Sequence, residues 1–285
     1  MTHASVPNSR SPTPSHGITN AGLGLQPEWD APEHVLALMT QRGGGVSVSP
    51  YDSLNLGDHV GDDPRAYTAN RARVAQVLGL TPCFMKQVHG THVHVLHEGS
   101  QHDGIEADAV VCATPGLAAT IMVADCLPVL FAHARLPIVA AAHAGWRGLA
   151  GGVLQASLAA MAEQAHCCVQ AVARETHVWL GPCIGPDAFE VGPDVRDAFA
   201  DVITHCGDAN ALFVAQPGPG GKYMANLQGL ARCVLRSQGV SAIAGNDGSA
   251  SWCTVGNAQQ YFSYRRDQGP LGASGRMAAF IGLRA

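Results

Sequence analysis

Short apolar runs bounded by Pro or Gly dominate the middle of the chain. The stretch Ala118 to Gly152 reads AATIMVADCLPVLFAHARLPIVAAAHAGWRGLAGG. Runs of that length predict buried strands, here over 119–123, 129–132 and 138–142. Similar runs predict strands over 35–39, 108–113, 177–180 and 277–281, and polar–apolar alternation predicts one over 91–96. Helical spacing is clearest over 226–238, where Leu227, Leu230, Ala231, Val234 and Leu235 fall on one face. A second helix is expected from Asp62 or Asp63, with Pro64 in its first turn, to Leu78, with Val74 and Leu78 inward. A third is expected over 149–164, after a turn in which Gly145 and Gly148 bracket Trp146 and Arg147. A fourth starts at Asp194 with Val195, Phe199, Val202 and Ile203 inside. Loop chemistry fills the rest: the triple glycine 43–45, SPYDSLNLGDHVGDDP, GPCIGPDAFEVGPDV, QPGPGGK and an arginine-bearing polar loop before the last strand.

The central run contains polar residues that an apolar core does not tolerate without a reason: Asp125, Cys126, His143, Trp146 and Arg147. Cys126 and His143 fall at strand ends, where a scaffold presents chemistry. His89, in a turn before the 91–96 strand, completes a candidate constellation. Two imidazoles and one thiolate suit Zn2+ with an open fourth position, the mark of a catalytic site. Asp125 beside Cys126 offers a carboxylate to support the ligands. The same atoms admit a second reading, with Cys126 as nucleophile and His143 as its base. Sequence does not choose between them. Arg42, Arg147, Arg265 and Arg266 sit in polar or Gly-rich loops, and their forks suit phosphate or carboxylate.

Composition narrows the field. Of 285 residues, 47% are hydrophobic and 14% charged, which fits a packed domain. The net charge of -5, with few and scattered Lys and Arg, suggests no nucleic-acid groove and no polybasic membrane patch. Charges and prolines interrupt the longest apolar region, so no membrane span is expected. The first 24 residues are rich in Ser, Pro, Thr and Asn and read as a disordered tail, with one domain over 25–285. Nine cysteines without a CxxC pair point to an intracellular, reduced chain in a cytoplasmic setting, with Cys167 and Cys168 as small core residues. Motifs for nucleotide triphosphates, dinucleotides, serine hydrolases and zincins are missing from the sequence.

The ordered motifs QRGGGVS, SLNLGDHVGDD with Asn70-Arg71, KQVHG, ADAVV, VADCLPVL, AAHAGWRG, GPCIGPDAFEVG, WCT and FSYRRDQG…GRMAAFI resemble the YfiH-like family, also called the polyphenol oxidase laccase-domain or DUF152 family, which includes the peptidoglycan editing factor. The resemblance implies an α+β (mixed α/β) fold of the CNF/YfiH-like kind: a single domain with mixed β-sheets sandwiched between helices in α/β/β/α-like layers. It implies a metal site at His89, Cys126 and His143, holding Zn2+ or alternatively Cu2+, which binds N/S ligands at least as tightly. It also implies phosphorolysis of adenosine, inosine and methylthioadenosine, adenosine deamination, or hydrolytic editing of peptidoglycan precursors. The expected partners are a purine nucleoside and phosphate, and the expected state is a monomer. For phosphorolysis, Arg42, Arg147 or Arg265 would hold phosphate, while Asn55 and Gln87 would fix ribose or purine. For deamination, Asp125 is the candidate proton carrier. A multicopper laccase needs several HxH motifs, and the chain has one, His92-Val93-His94.

Overall fold

The computed structural model describes residues 18–19, 22–99, 102–206 and 209–284. The chain begins with β1 (Ile18–Thr19), β2 (Gly24–Leu25) and β3 (Val35–Thr40), then enters α1 (Pro64–Leu78). Asp63 caps α1 by accepting from the Arg65 amide, and Gly79 ends it at φ 68°, a left-handed angle that favours glycine. Strands β4 (Thr81–Phe84), β5 (Val93–Leu96), β6 (Ala109–Cys112), β7 (Leu117–Val123), β8 (Leu127–His133) and β9 (Val139–Ala144) follow. The helix expected over 149–164 is two helices, α2 (Trp146–Gly151) and α3 (Val153–Ala165). Gly152, at φ 99°, breaks them, so Trp146 and Arg147 open a helix and do not lie in a free turn.

After α4 (Val169–Arg174) and β10 (Thr176–Leu180) come β11 (Glu190–Val191), α5 (Pro193–Asp197), α6 (Ala200–His205), α7 (Ala209–Leu212), β12 (Phe213–Ala215) and β13 (Tyr223–Ala225). The helix expected from Asp194 is thus split, and QPGPGGK connects the β12–β13 hairpin of a small third sheet. Helix α8 (Leu227–Ser237) is capped by Asn226, whose side chain accepts from the Gly229 amide, and its five expected apolar residues are all buried. Last are β14 (Ala242–Gly245), α9 (Tyr264–Leu271) and β15 (Met277–Leu283). The polar arginine-bearing loop is therefore largely helix α9, capped by Ser263.

The large strands form two six-stranded sheets, ordered β1-β2-β3-β15-β7-β4 and β14-β10-β8-β9-β6-β5. Both mix parallel and antiparallel pairs. Alternation along the strands decides the layers. In β7, Ala119, Ile121 and Val123 join Met277, Ala279 and Ile281 of β15 against Val110, Leu130, Ala141 and Trp179 of the second sheet. The opposite face of the first sheet, with Ala118, Met122, Ala278 and Phe280, packs on Val74 and Leu78 of α1. The outer face of the second sheet, with Val111, Val129, Phe131 and Ala140, packs on Leu154, Leu158 and Leu230 of α3 and α8. The order is helix, sheet, sheet, helix. Both faces of the central strands are covered, which is why they read as continuous apolar runs. Each fully buried Leu, Ile or Phe there contributes ~1.5–3 kcal/mol.

The proposed tail lies mostly outside the described residues; within it, Ile18–Thr19 pairs with Gly24–Leu25 and extends the first sheet. Two expectations are corrected outside the site. Cys167 and Cys168 are exposed, since they lie in the connection between α3 and α4 and on no packed face. Cys206, just after α6, forms a disulfide with Cys233 of α8, against the fully reduced chain expected. Cysteine spacing does not encode such pairings. No helix among the described residues is long and apolar enough to cross a membrane.

Candidate active site and metal centre

The three proposed ligands converge although 54 residues separate the first from the last. One ligand atom each from His89, Cys126 and His143 lies within 4.8 Å of the others. Local structure accounts for each. His89 sits in the connection from β4 to β5 at φ 60°. Cys126 lies in the short link from β7 to β8, beside Asp125 at φ 90°. His143 is the next-to-last residue of β9 and shares the inward face of Val139 and Ala141 by alternation. The Cys126 sulfur is 3.8 Å from His89 Nε2, and the two imidazole rings meet edge to face at 4.8 Å.

Two glycines of AAHAGWRG make this approach possible. A Cβ at Gly145 would lie 2.9 Å from both Cys126 Sγ and His89 Cδ2. A Cβ at Gly148 would lie 2.9 Å from the Gly90 carbonyl. Any larger residue would push the β9–α2 corner away from the His89 turn.

The carboxylate behind the ligands is Asp108, which the sequence pattern places only in an apolar strand. It is fully buried and receives four donors: His143 Nδ1 at 2.8 Å and the amides of His89 at 2.9 Å, Gly90 at 2.7 Å and Val88 at 3.1 Å. Burial pushes its pKa up, but the bonds from His143 and these amides outweigh burial and hold it below the ordinary carboxylate range. An ionised carboxylate only accepts, so Nδ1 of His143 carries hydrogen and Nε2 faces the other two ligands. Burial alone would raise the Cys126 thiol. The adjacent His143 and His89 reverse that and lower it to about 6. His143 is disfavoured as a cation by burial, yet Cys126 and Asp108 raise it to about 9. Both shifts favour a Cys126 thiolate beside a His143 imidazolium when no metal is bound.

Asp125 does a different job from the one expected. Its Oδ1 accepts from Thr254 at 2.5 Å and its Oδ2 from the Arg265 amide at 2.6 Å, which pins the start of α9 to the β7–β8 link. Both oxygens are engaged in holding structure, so Asp125 is a poor proton carrier.

The trio opens into a cavity of about 540 Å³ whose wall includes Trp146, Arg147, Phe189, Tyr264, Arg265 and Arg276. Arg147 and Arg265 both line this cavity, from the first turns of α2 and α9 and not from the loops expected. Arg147 stacks on Trp146 at 4.4 Å, and Arg265 makes long bonds to the carbonyls of Ala188 and Glu190. Gln87 also lines the wall, but its amide is clamped to both main-chain groups of Met122, at 2.8 and 2.7 Å.

Two expected substrate ligands are elsewhere. Arg42 lies outside this cavity, pairs with Asp52, donates to Ala258 O and stacks on Phe262. Asn55 is fully buried, and its amide is filled by Gly57 N and O, Asp62 and the Arg276 amide. All four of its hydrogen-bonding positions are used. Arg266, the other arginine of that loop, is spent on Asp267 and main-chain carbonyls. The lone HxH motif does not line the cavity, and His94 instead bonds His102 at 3.0 Å.

The donor set fits a borderline transition metal: one thiolate, two imidazoles, a buried carboxylate fixing one ring, and an open side toward the cavity.

Comparison with known proteins identifies the family. Residues 36–284 match the family described as multi-copper polyphenol oxidoreductase laccase. The chain is 45% identical over 260 residues to a purine nucleoside phosphorylase of Pseudomonas aeruginosa, covering 91% of this chain and 98% of the relative. It is 44% identical over 261 residues to purine nucleoside phosphorylase YfiH of Escherichia coli, with the same two coverages. Among solved structures, a DUF152 protein of Neisseria meningitidis superposes with a TM-score of 0.79 at 45% identity, over 92% of this chain and 99% of that one. YlmD of Geobacillus stearothermophilus gives 0.78 at 29% identity, over 89% and 93%. With its His–Cys–His cluster and four-layer fold, the chain belongs to the YfiH-like (DUF152) family, whose sequence model carries the laccase description.

Proposed function

We propose that the chain is a metal-dependent purine nucleoside phosphorylase acting on adenosine, inosine and methylthioadenosine, with adenosine deamination as a second activity. One observation carries the reading: the His89–Cys126–His143 cluster and several arginines share one cavity of nucleoside size with aromatic walls. The names of the relatives support it. In phosphorolysis a phosphate oxygen bonds to C1′ as the C1′–N9 bond breaks and its electron pair leaves with the purine. The faces of Trp146 and Phe189 suit the purine ring. Arg147 and Arg265 bring positive charge to the wall, where phosphate needs it. Asp108 holds His143 in one orientation through the reaction. A zinc or copper ion held by His89, Cys126 and His143 would supply Lewis-acid stabilisation of developing negative charge.

A second reading has its own support. Cys126, His143 and Asp108 stand as nucleophile, base and orienting carboxylate, and the thiol is lowered to about 6. That arrangement suits a cysteine hydrolase acting on an amide, such as a wrongly built peptidoglycan precursor.

The test uses one batch of metal-analysed protein. It is incubated with adenosine with and without phosphate, and separately with a UDP-muramoyl-L-serine precursor. Phosphate-dependent release of adenine and ribose-1-phosphate supports the phosphorylase, and inosine supports deamination. Free serine without base release supports the hydrolase instead. Full activity of Cys126→Ala on every substrate would remove both.

A further inference from the structure

The arginines picked out by sequence leave the anion poorly held. Arg147 and Arg265 are exposed, and Arg42 is committed outside the cavity. Arg276, one residue before β15, is different. It lines the same cavity as the His–Cys–His cluster and is only partly exposed. A guanidinium carries five N–H donors. Nη1 donates to the carbonyls of Ser274 at 2.9 Å and Gly275 at 3.1 Å. Nε and Nη2 donate to no protein acceptor among the described residues, and no carboxylate there forms an ion pair with Arg276.

The free edge is the Nε/Nη2 side, whose two parallel N–H groups match two oxygens of a tetrahedral or planar oxyanion. Two neighbouring arginines spend that edge, while Arg147 and Arg265 are exposed. Arg42 gives Nε and Nη2 to Asp52, and Arg266 gives them to Asp267. Arg276 is also held from behind. Its amide donates to Asn55 Oδ1 at 2.8 Å, and its carbonyl accepts from Leu56 N at 3.0 Å. A Cβ at Gly57 would come 2.8 Å from Arg276 Cγ, so the glycine makes room for the stem. A positioned guanidinium with an open fork is a preorganised receptor. It also faces the negative charge of Cys126 and Asp125, which partly offsets the burial that lowers its pKa.

We propose that the Nε/Nη2 fork of Arg276 is the seat of the anionic co-substrate, a tetrahedral oxyanion such as phosphate, and that Arg147 and Arg265 only steer it inward. The anion's identity as a reactant rests on the phosphorylase reading, but its binding does not.

Thermal unfolding of the full chain with phosphate or sulfate tests the binding directly. Wild type, Arg147→Ala and Arg265→Ala should gain stability with either anion. Arg276→Met should show no gain, and Arg276→Lys a reduced one, because lysine keeps the charge and loses the fork. Unchanged metal content and unfolding temperature without anion establish that Arg276→Met is folded. If it is not, Arg276→Gln takes its place. In turnover, KM for phosphate should rise roughly 10- to 100-fold in Arg276→Lys, as expected for losing a bidentate charged contact, while KM for nucleoside stays put. Sulfate stabilisation of Arg276→Met equal to wild type overturns the proposal. Arg276-dependent sulfate binding in a protein that releases no base supports the anion seat and overturns the phosphorylase reading instead.

Discussion

Replacing Asp108 by Asn separates the role of the buried charge from that of its shape. Each carboxylate oxygen receives two donors: Oδ1 from His143 Nδ1 and the His89 amide, Oδ2 from the Gly90 and Val88 amides. An asparagine keeps one acceptor oxygen and turns an NH2 group toward the other two donors. Two charge-assisted bonds are lost at ~1.5–3 kcal/mol each. Nearby chain can shift a little, so the expected destabilisation is about 3–5 kcal/mol, the usual range for breaking a buried pair. Removing a carboxylate behind a metal-binding histidine costs roughly 10–100-fold in metal affinity. Urea unfolding of the metal-free protein measures the first effect, and zinc titration against a competing chelator measures the second. A loss under ~1 kcal/mol, with zinc affinity unchanged, would refute the argument that Asp108 orients His143 and organises the His89 turn.

Further outcomes follow from the same geometry. In metal-free protein, alkylation of Cys126 should rise with a midpoint near pH 6, well below an ordinary thiol, and metal loading should suppress it. The signs for stability follow from the two shifts. Lowering of Cys126 contributes stability present above its ordinary pKa of 9.0 and lost as pH falls through about 6. Raising of His143 contributes stability present below 6.5 and lost as pH rises through about 9. The pair therefore persists between those limits, and Cys126→Ser should flatten the metal-free pH–stability profile there. Gly145→Ala should force Cys126 and His89 apart, lowering metal content and costing ~1–3 kcal/mol by overpacking. Arg42→Met should lower stability by about 1–3 kcal/mol through its lost bonds to Asp52 and Ala258, yet leave KM for phosphate unchanged, because Arg42 is not in the cavity.

The three ligands and most large elements were legible because each has a local signature. An apolar run with one intruding Cys or His marks a site, and the spacing of Leu227, Leu230, Val234 and Leu235 marks α8. What stayed hidden depends on distant partners. Asp108 sits just before the apolar strand β6, and nothing nearby announces that its donors come from residues 88–90 and 143. The signal available was a lone carboxylate before AVVC, too costly to bury without partners. Asp125 looked better for being next to Cys126, but backbone at φ 90° turns it toward Thr254 and α9. Asn55 carries a substrate-like amide, and only its four filled contacts reveal a structural post. Helix α9 is not legible because Gly269 and Pro270 argue against a helix, while the Ser263 cap and the Asp125 contact to its first turn hold it.

Two of the three ligands ride on the connections that carry the chain from one sheet to the other: His89 between β4 and β5, Cys126 between β7 and β8. His143 belongs to the second sheet. A metal held by all three is thus a rivet through both crossovers. The sheets could not slide or separate without first releasing it. At metal a thousandfold above its dissociation constant the rivet adds ~4 kcal/mol against unfolding, spread over the whole sandwich. Amide exchange deep in β7 and β8 should slow together on loading, turning the two sheets into one cooperative unit.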